Sequence, residues 1–475
     1  MTKSKPCKNI LILSHDVIGT HMAGPGIRYY HLARILSREF SVTLAIPRPL
    51  ESALARENLK LVEYNPRDWH TMAPLLAEAE VVLLNGYLAG IVPDSDFSSL
   101  NIPVIIDGYD PHLATWLSAT ADHPEHQETS WKDQIKQLTP QYLIGDFFIC
   151  ASERQRDWWL GLLEGYGRIN PWTLRGDASL RRLVDVVPYG LPEYAPQHTR
   201  PVMRGVWPNI GERDKILLWG GGLWPWLDPL TAVKALEIIW QQRQDVRLVF
   251  PGTRHPNPAN QTLSAQVEVC RQRASQAGLL DRAVFFSEWV PYEDWPNFLL
   301  ESDLALALHF EETLETHWAF RTRLLDYIWA SLPTVSTRGD VTSEFIQELN
   351  LGLLVKESDS QGVAEAILTL LDTPRQQFEL QFALARQRFS WEKVALPLVS
   401  FCHQPRIAPD KQALEQQVGN PYYRFYQDDH ERLVAENSQL NALVQAYENR
   451  RIIRLLNKIR SFTRRLGFTD SSPGT

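Results

Sequence analysis

Cysteine is scarce. Four occur in 475 residues, Cys7, Cys150, Cys270 and Cys402, far apart and in no paired metal-binding or redox spacing, so the expected state is reduced and cytosolic. Long apolar runs are also missing. Nothing approaches the roughly 20 residues that span a bilayer, and the run Ile10 to Leu13 is broken at once by Ser14, His15 and Asp16. Neither a signal peptide nor a membrane span is therefore expected. Basic charge is outweighed, with 48 Lys and Arg against 56 Asp and Glu and a formal net charge of −8. Long-range attraction for a polynucleotide backbone is thereby removed, and no nucleic-acid partner is expected. Only the last fifty residues offer a basic patch.

What is present is ordinary globular material, 44% hydrophobic and 22% charged. A chain of 475 residues exceeds the size at which one core keeps growing, so two domains and a tail are expected. The first half alternates short apolar runs, Ile10–Leu13, Val42–Ile46, Val81–Leu84, Val104–Ile106 and Phe147–Cys150, with amphipathic stretches. Strands buried on both faces lose their polar face, which predicts a parallel, doubly wound α/β sheet. The pattern restarts after Pro188-Tyr189-Gly190-Leu191-Pro192 with Ile216–Trp219, Val246–Phe250, Val284–Phe286, Leu304–Leu308 and Thr334–Ser336. That predicts a first domain over 1–195, a second over 196–388, and a ligand crevice where the carboxyl ends of the two sheets meet. Past residue 404 the strand pattern stops, and 429–467 reads as one long helix with Leu433, Leu440, Leu443, Val444 and Tyr447 on one stripe.

Five segments carry candidate chemistry. Ala23-Gly24-Pro25-Gly26-Ile27-Arg28 follows the first strand and precedes a helix, so Gly24 and Gly26 admit a phosphate to backbone N–H groups, the helix adds its positive end and Arg28 a full charge. Plain turn chemistry also accounts for the glycines. Trp219-Gly220-Gly221-Gly222-Leu223-Trp224-Pro225-Trp226-Leu227-Asp228-Pro229 repeats that placement in the second half. Gly221 and Gly222 let backbone lie against a ligand, and Trp224 or Trp226 stacks on a ring or packs into the interdomain core. The third segment runs from His309-Phe310-Glu311-Glu312 through Glu315 and His317 to Phe320-Arg321-Thr322-Arg323-Leu324-Leu325-Asp326-Tyr327. Carboxylates that accept from sugar hydroxyls beside arginines that fork onto phosphate suit a sugar diphosphate; a structural salt-bridge cluster is the competing reading. In Asp107-Gly108-Tyr109-Asp110-Pro111-His112, Asp110 and His112 are placed to orient or deprotonate an acceptor hydroxyl, or simply to form a turn before proline. Arg254 lies at a further strand end, for phosphate or for solvent.

The order of these motifs resembles the retaining glycosyltransferases of the GT-B fold, especially glycosyltransferase family 4, over residues 8–403. The elements that carry it are the glycine loop with Ala33-Arg34 behind it, Val187-Pro188-Tyr189-Gly190, Phe286 to Val290, Ser302-Asp303-Leu304-Ala305-Leu306, Arg323-Leu324-Leu325-Asp326-Tyr327 with Ala330-Ser331-Leu332-Pro333, and Phe389-Ser390-Trp391-Glu392-Lys393-Val394-Ala395. The resemblance implies two Rossmann-like domains facing a cleft. The first would take the acceptor and be completed by a helix crossing back at about 389–403. The second would bind the nucleotide-sugar, its base near Trp289 and Val290, with Phe320 on the wall. It also implies retention of anomeric configuration without a metal, a cofactor or a protein nucleophile.

The sequence departs from that family in three places. Of two glutamates with seven residues between them, the second is matched by the shorter Asp326 and the first position holds Trp318, leaving Glu315 as the nearest carboxylate for the donor sugar, with Glu312 behind it. Gly220 to Pro229 lacks the usual arginine and lysine, so Arg254, Arg321, Arg323 and backbone amides are the candidates to neutralise the diphosphate. Tyr109-Asp110 stands where His-Asp is usual, which moves the histidine role to His112. The expected activity is sugar transfer from a nucleoside-diphosphate sugar to a saccharide or lipid-linked acceptor. A sugar-nucleotide epimerase and a transfer-inactive binding protein are the alternatives. Arg450 to Phe468 reads as a basic amphipathic helix, so the expected partner of 430–468 is an anionic membrane surface on the cytoplasmic side or a second copy of the chain.

Overall fold

The computed structural model describes residues 9–47, 58–91, 101–256, 265–411, 435–444 and 446–447. Two wholly parallel sheets form the body. The first has seven strands, β1 (Asn9–Leu13), β2 (Ser41–Ile46), β3 (Leu59–Glu63), β4 (Val81–Asn85), β5 (Val104–Asp107), β6 (Phe147–Cys150) and β7 (Val184–Val186), in the order β3-β2-β1-β4-β5-β6-β7. The second has six, β8 (Lys215–Leu218), β9 (Val246–Pro251), β10 (Val284–Ser287), β11 (Leu304–Ala307), β12 (Thr334–Thr337) and β13 (Gly352–Val355), ordered β10-β9-β8-β11-β12-β13. In each sheet the order reverses beside its first strand, β1 or β8, which opens a crevice at the carboxyl ends. The central strands β1, β4, β5, β6, β8 and β11 are buried along nearly their whole length, as both-face coverage by helices requires.

Each of the ten strands expected from the apolar runs is present within one residue at either end. The three additional strands, β3, β7 and β13, lie at sheet edges and are only partly buried, so their residues carry no continuous apolar signal.

One apolar cluster continues from the first sheet into the second. It joins Ile10, Tyr29 and Phe147 to Tyr189 and Leu191 at the junction, to Phe320, Leu324 and Tyr327, and to Phe389, Trp391 and Phe401. Residues 389–403 pack on the first sheet's side: Leu191 pairs with Ser390, the Trp391 ring stacks on His31 at 5.2 Å, and Phe401 stacks on Phe147 at 4.8 Å. Residues Met1–Asp410 form one compact unit that holds both sheets, and Lys411–Thr475 form a second. Within the second unit, 435–444 and 446–447 are helical and Leu440, Leu443, Val444 and Tyr447 are exposed. The rest of the tail, including Leu433 and the basic stretch from Arg450 to Phe468, lies outside the described residues. Among the described residues no helix is long and apolar enough to cross a membrane.

Candidate functional site

A cleft of about 430 Å³ lies where the carboxyl ends of the two sheets face one another. Helices point their N-termini into it from both sides, and on the first-domain wall His112–Ala119 starts at Pro111 without a capping side chain. Gly24–Leu36 starts at Ala23 and Thr322–Trp329 starts at Arg321, and neither has a capping side chain. The two ends meet, since a Cβ on Gly24 would lie 3.4 Å from Thr322 Oγ1. Uncapped backbone donors and two positive helix ends therefore converge on one spot.

Beside them runs the loop after β8. Gly220 N–H donates to Tyr327 Oη at 2.8 Å, and that hydroxyl donates to Leu306 O at 3.0 Å, which ties the loop to β11. Gly221 has φ of +79°, a conformation that favours glycine. Arg323 reaches this loop from the helix behind: Nη2 donates to Gly222 O at 3.1 Å, the guanidinium lies 5.2 Å over the Trp219 ring, and buried Nη1 has no partner. Burial lowers its pKa to about 10, because no carboxylate pairs with it to offset the loss of water. One turn along, Asp326 accepts a 3.0 Å hydrogen bond from Trp295 Nε1, while burial pushes its carboxyl up to about 7. Trp289 and Val290 line the same end, and Trp289 packs edge-on against His255, 5.1 Å away. Trp224 and Trp226 stack on each other at 5.2 Å and also line the cleft.

Glu315 and Arg321 reach the cleft as a pair. Arg321 forks onto both Glu315 oxygens at 2.7 and 2.8 Å and places Nε 3.2 Å from Asp340, which His309 faces at the same distance. Burial opposes the Asp340 carboxylate, but His309 and Arg321 outweigh it and hold its pKa well below the usual value. The salt-bridge reading of this segment is thus correct for Arg321, which is already neutralised by two carboxylates and is not free to meet phosphate. Trp318 stacks on Trp158 of the first domain at 4.8 Å. Phe320 lines the cleft, and its carbonyl accepts from Tyr109 Oη at 2.7 Å across the domains.

The first-domain wall carries His15, Asp16, Asp110, His112 and Thr115. Burial, with Asp107 adding to it, raises Asp110 to about 7. Burial and the neighbouring His15 lower His112 to about 4, and burial lowers His15 despite Asp16 and Asp107 nearby. Both imidazoles are therefore neutral near pH 7. His112 Nε2 lies 3.5 Å from Asn85 Nδ2, whereas His15 Nδ1 is buried without a partner.

Three expected donor-binding residues lie elsewhere. Arg28 does not line the cleft: it donates to Asp107 through Nε and Nη2 at 2.8 and 2.9 Å and to Pro188 O at 3.0 Å, and sits 4.8 Å over the Tyr109 ring. The opposite charge at Asp107 captures it before any phosphate can. Gly26 is a packing glycine, since a Cβ there would lie 2.3 Å from Val17 O. Arg254 is exposed, 3.7 Å from Glu288 and off the cleft wall. His15, Asp16 and Trp295 are site residues that motif reading passed over; the signal was the polar pair that directly follows the first buried strand. Among the described residues no group of three His, Cys, Asp or Glu side chains converges to hold a metal ion.

Two Rossmann-like α/β domains with facing carboxyl ends define the GT-B architecture. Residues 214–373, which contain the whole second sheet, match the family model described as glycosyl transferases group 1. HepE of Anabaena, solved with UDP and glucose, superposes with a TM-score of 0.58 at 15% identity, covering 83% of this chain and 98% of its own. Sucrose-phosphate synthase from Thermosynechococcus elongatus gives 0.57 at 16% identity over 84% of this chain and 98% of its own. WaaG, a glycosyltransferase involved in lipopolysaccharide biosynthesis, gives 0.56 at 14% identity over 84% and 100%. At these identities the likeness is one of fold. No curated protein matches this sequence.

Proposed function

We propose that the protein transfers a sugar from a nucleoside-diphosphate sugar to an acceptor hydroxyl, with retention of anomeric configuration. The observation that carries this reading is Arg323: a desolvated guanidinium with an unpartnered nitrogen, beside a glycine loop and two uncapped helix ends. An arginine in that setting lacks an anion, and a diphosphate supplies one. The family match over the second sheet and the UDP bound by HepE support the same choice of donor.

In this reading the diphosphate lies against Arg323, the Gly220–Gly222 backbone and the N-terminus of Thr322–Trp329. The base rests near Trp289 and Val290, and Asp326 meets the ribose hydroxyls. The bond from the anomeric carbon to the phosphate oxygen breaks, the acceptor oxygen bonds to the same carbon on the same face, and the acceptor proton passes to the departing phosphate. The chain's part is positioning and charge stabilisation. Asp110 and His112 orient the acceptor, and Glu315, held by Arg321, faces the transferred sugar.

Thermal stabilisation by UDP, ADP and GDP tests the donor assignment, because a ligand of the folded state raises its stability by mass action. At least one should raise Tm in the wild type and fail to do so in Arg323→Ala. Product analysis by NMR with the matching nucleotide-sugar should then show transfer with retention. Isomerisation of the donor alone would replace this reading by an epimerase, and binding without turnover by a binding protein.

A further inference from the structure

A second cavity, of about 270 Å³, adjoins the cleft. Tyr189, Tyr292, Trp295 and Asp326 line both, whereas Tyr194, Trp329 and Trp391 line the second alone. Its rings are held in place. Tyr194 and Trp329 stand edge-on, 5.8 Å apart with 80° between their planes, and Trp329 Nε1 donates to Tyr194 O at 2.6 Å, so the two form a fixed corner. Trp295 Nε1 donates to Asp326 at 3.0 Å, and Tyr292 Oη lies 2.8 Å from His31 Nε2. With those polar tips engaged, the rings offer a ligand chiefly their π surface.

Charge in this chamber has one sign. Asp326 and Glu293 line it and, among the described residues, no lysine or arginine does. His31 is present, but burial, with Arg34 adding to it, lowers its pKa to about 3, so the ring is neutral near pH 7. Arg34 itself lies 5.7 Å over the Tyr30 ring, and Arg200, next to the lining Thr199, is paired with Asp294 at 2.5 Å. Helix ends do not reverse the sign. Trp295–Glu301 begins at the chamber, but its Trp295 N–H is taken by Tyr292 O, Pro296 has none, and Asn297 N–H is taken by Asp294 O. Trp391–Val394 spends Trp391 N–H on Leu191 O and carries Glu392 in its first turn. Thr322–Trp329, by contrast, ends at Trp329 on the chamber wall and brings its negative end there.

From these walls we infer that the chamber binds a small, free organic cation of the alkylated-ammonium class, its alkyl groups against the Tyr194–Trp329 corner and its charge balanced by Asp326 and Glu293. Aromatic faces attract a cation through the ring quadrupole, most strongly where water is excluded. An alkylated ammonium sheds its water more readily than a bare one, which suits a chamber walled by rings. An anion here would meet carboxylates and no counter-charge. Of the residues given a part in sugar transfer, Asp326 alone reaches the chamber, so the site stands or falls separately from that reading.

The test is isothermal titration calorimetry of the full chain with tetramethylammonium, choline and 3,3-dimethylbutan-1-ol, the neutral isostere of choline. At least one of the two cations should bind at millimolar concentration, and the isostere should bind at least tenfold more weakly than choline. Tyr194, 56% exposed, and exposed Glu293 line the chamber and not the cleft, so their variants locate the bound cation. Tyr194→Leu and Glu293→Gln should each weaken it at least threefold, and Tyr194→Phe, which keeps the ring, should bind as the wild type does, with circular dichroism unchanged in all three. Phosphocholine should bind more weakly than choline, since its phosphate finds no partner; equal or tighter binding would overturn the assignment to a free cation in favour of a lipid headgroup. An isostere that matches choline, affinity unchanged in Tyr194→Leu, or no binding of either cation overturns the inference. UDP stabilisation, measured in parallel, keeps the two questions apart: if it persists while the cations fail, only the chamber is reassigned.

Discussion

Arg28 lies behind the cleft and Arg323 lines it, both are removed from water, and their partners give them opposite roles. Arg28 meets Asp107 in a buried fork, so its charge is already matched. Arg28→Met leaves Asp107 buried and alone, and should lower unfolding free energy by about 3–5 kcal/mol in denaturant titration. The double variant Arg28→Met, Asp107→Asn should recover much of that loss. Arg323 has no such partner; Arg323→Ala should leave the fold intact and abolish nucleoside-diphosphate stabilisation. Asp326 and Asp110 supply a pH signature. Both are raised from 3.8 to about 7 by burial, so the folded state holds their protons more tightly than the unfolded chain does. Their ionisation therefore costs stability, and that cost grows as pH climbs from about 4 through about 7. Asp326→Asn should accordingly raise Tm at pH 8 while leaving it unchanged at pH 4. If Asp110 acts as a carboxylate on the acceptor, activity should rise between pH 6 and 8, and Asp110→Asn should flatten that limb.

Elements show where the sequence could be read and where it could not. The strands that build the crevice are buried on both faces, so runs such as Val81–Leu84 and Phe147–Cys150 announce themselves. Edge strand β13, Gly352–Val355, is half-covered and does not. The loop after β8 was legible because its glycines stand between a strand end and a helix start, whereas Gly26 was not, because only the fold sets it against Val17 O. Arg28 was not, because Asp107 is 79 positions away and only the sheet brings them together. Glu315 and Arg321, six apart, were legible as members of one charged segment, though not as each other's partners. The short helix Leu314–Trp318 is held to the first domain by the Trp318–Trp158 stack and by Gln155 Nε2, which donates to Trp318 O at 2.8 Å. An aromatic pair of this kind contributes about 0.5–1.5 kcal/mol. Trp318→Ala should therefore speed amide exchange over 314–320 up to roughly tenfold and leave the β-strand amides unaffected.

At the scale of the whole molecule, the two sheets share one apolar cluster through Tyr189, Leu191 and Trp391. Residues 9–410 should consequently unfold in one cooperative step, with fluorescence and circular dichroism transitions coinciding. Trp391→Ala opens a cavity between His31 and Tyr189, and should cost about 3–5 kcal/mol and lower both probes together. Separate transitions for the two sheets would contradict this.

Across the mouth of the cleft, Trp289 Nε1 donates to Met22 O at 3.0 Å and Tyr292 N–H to Thr20 O at 2.7 Å. Both acceptors are main-chain oxygens, and the second bond has no side chain at either end. The hydrogen bond itself therefore draws on the backbone alone at position 20. On the opposing lip the indole of Trp289 has no substitute, so mutational tolerance at the two edges of the same opening is unequal.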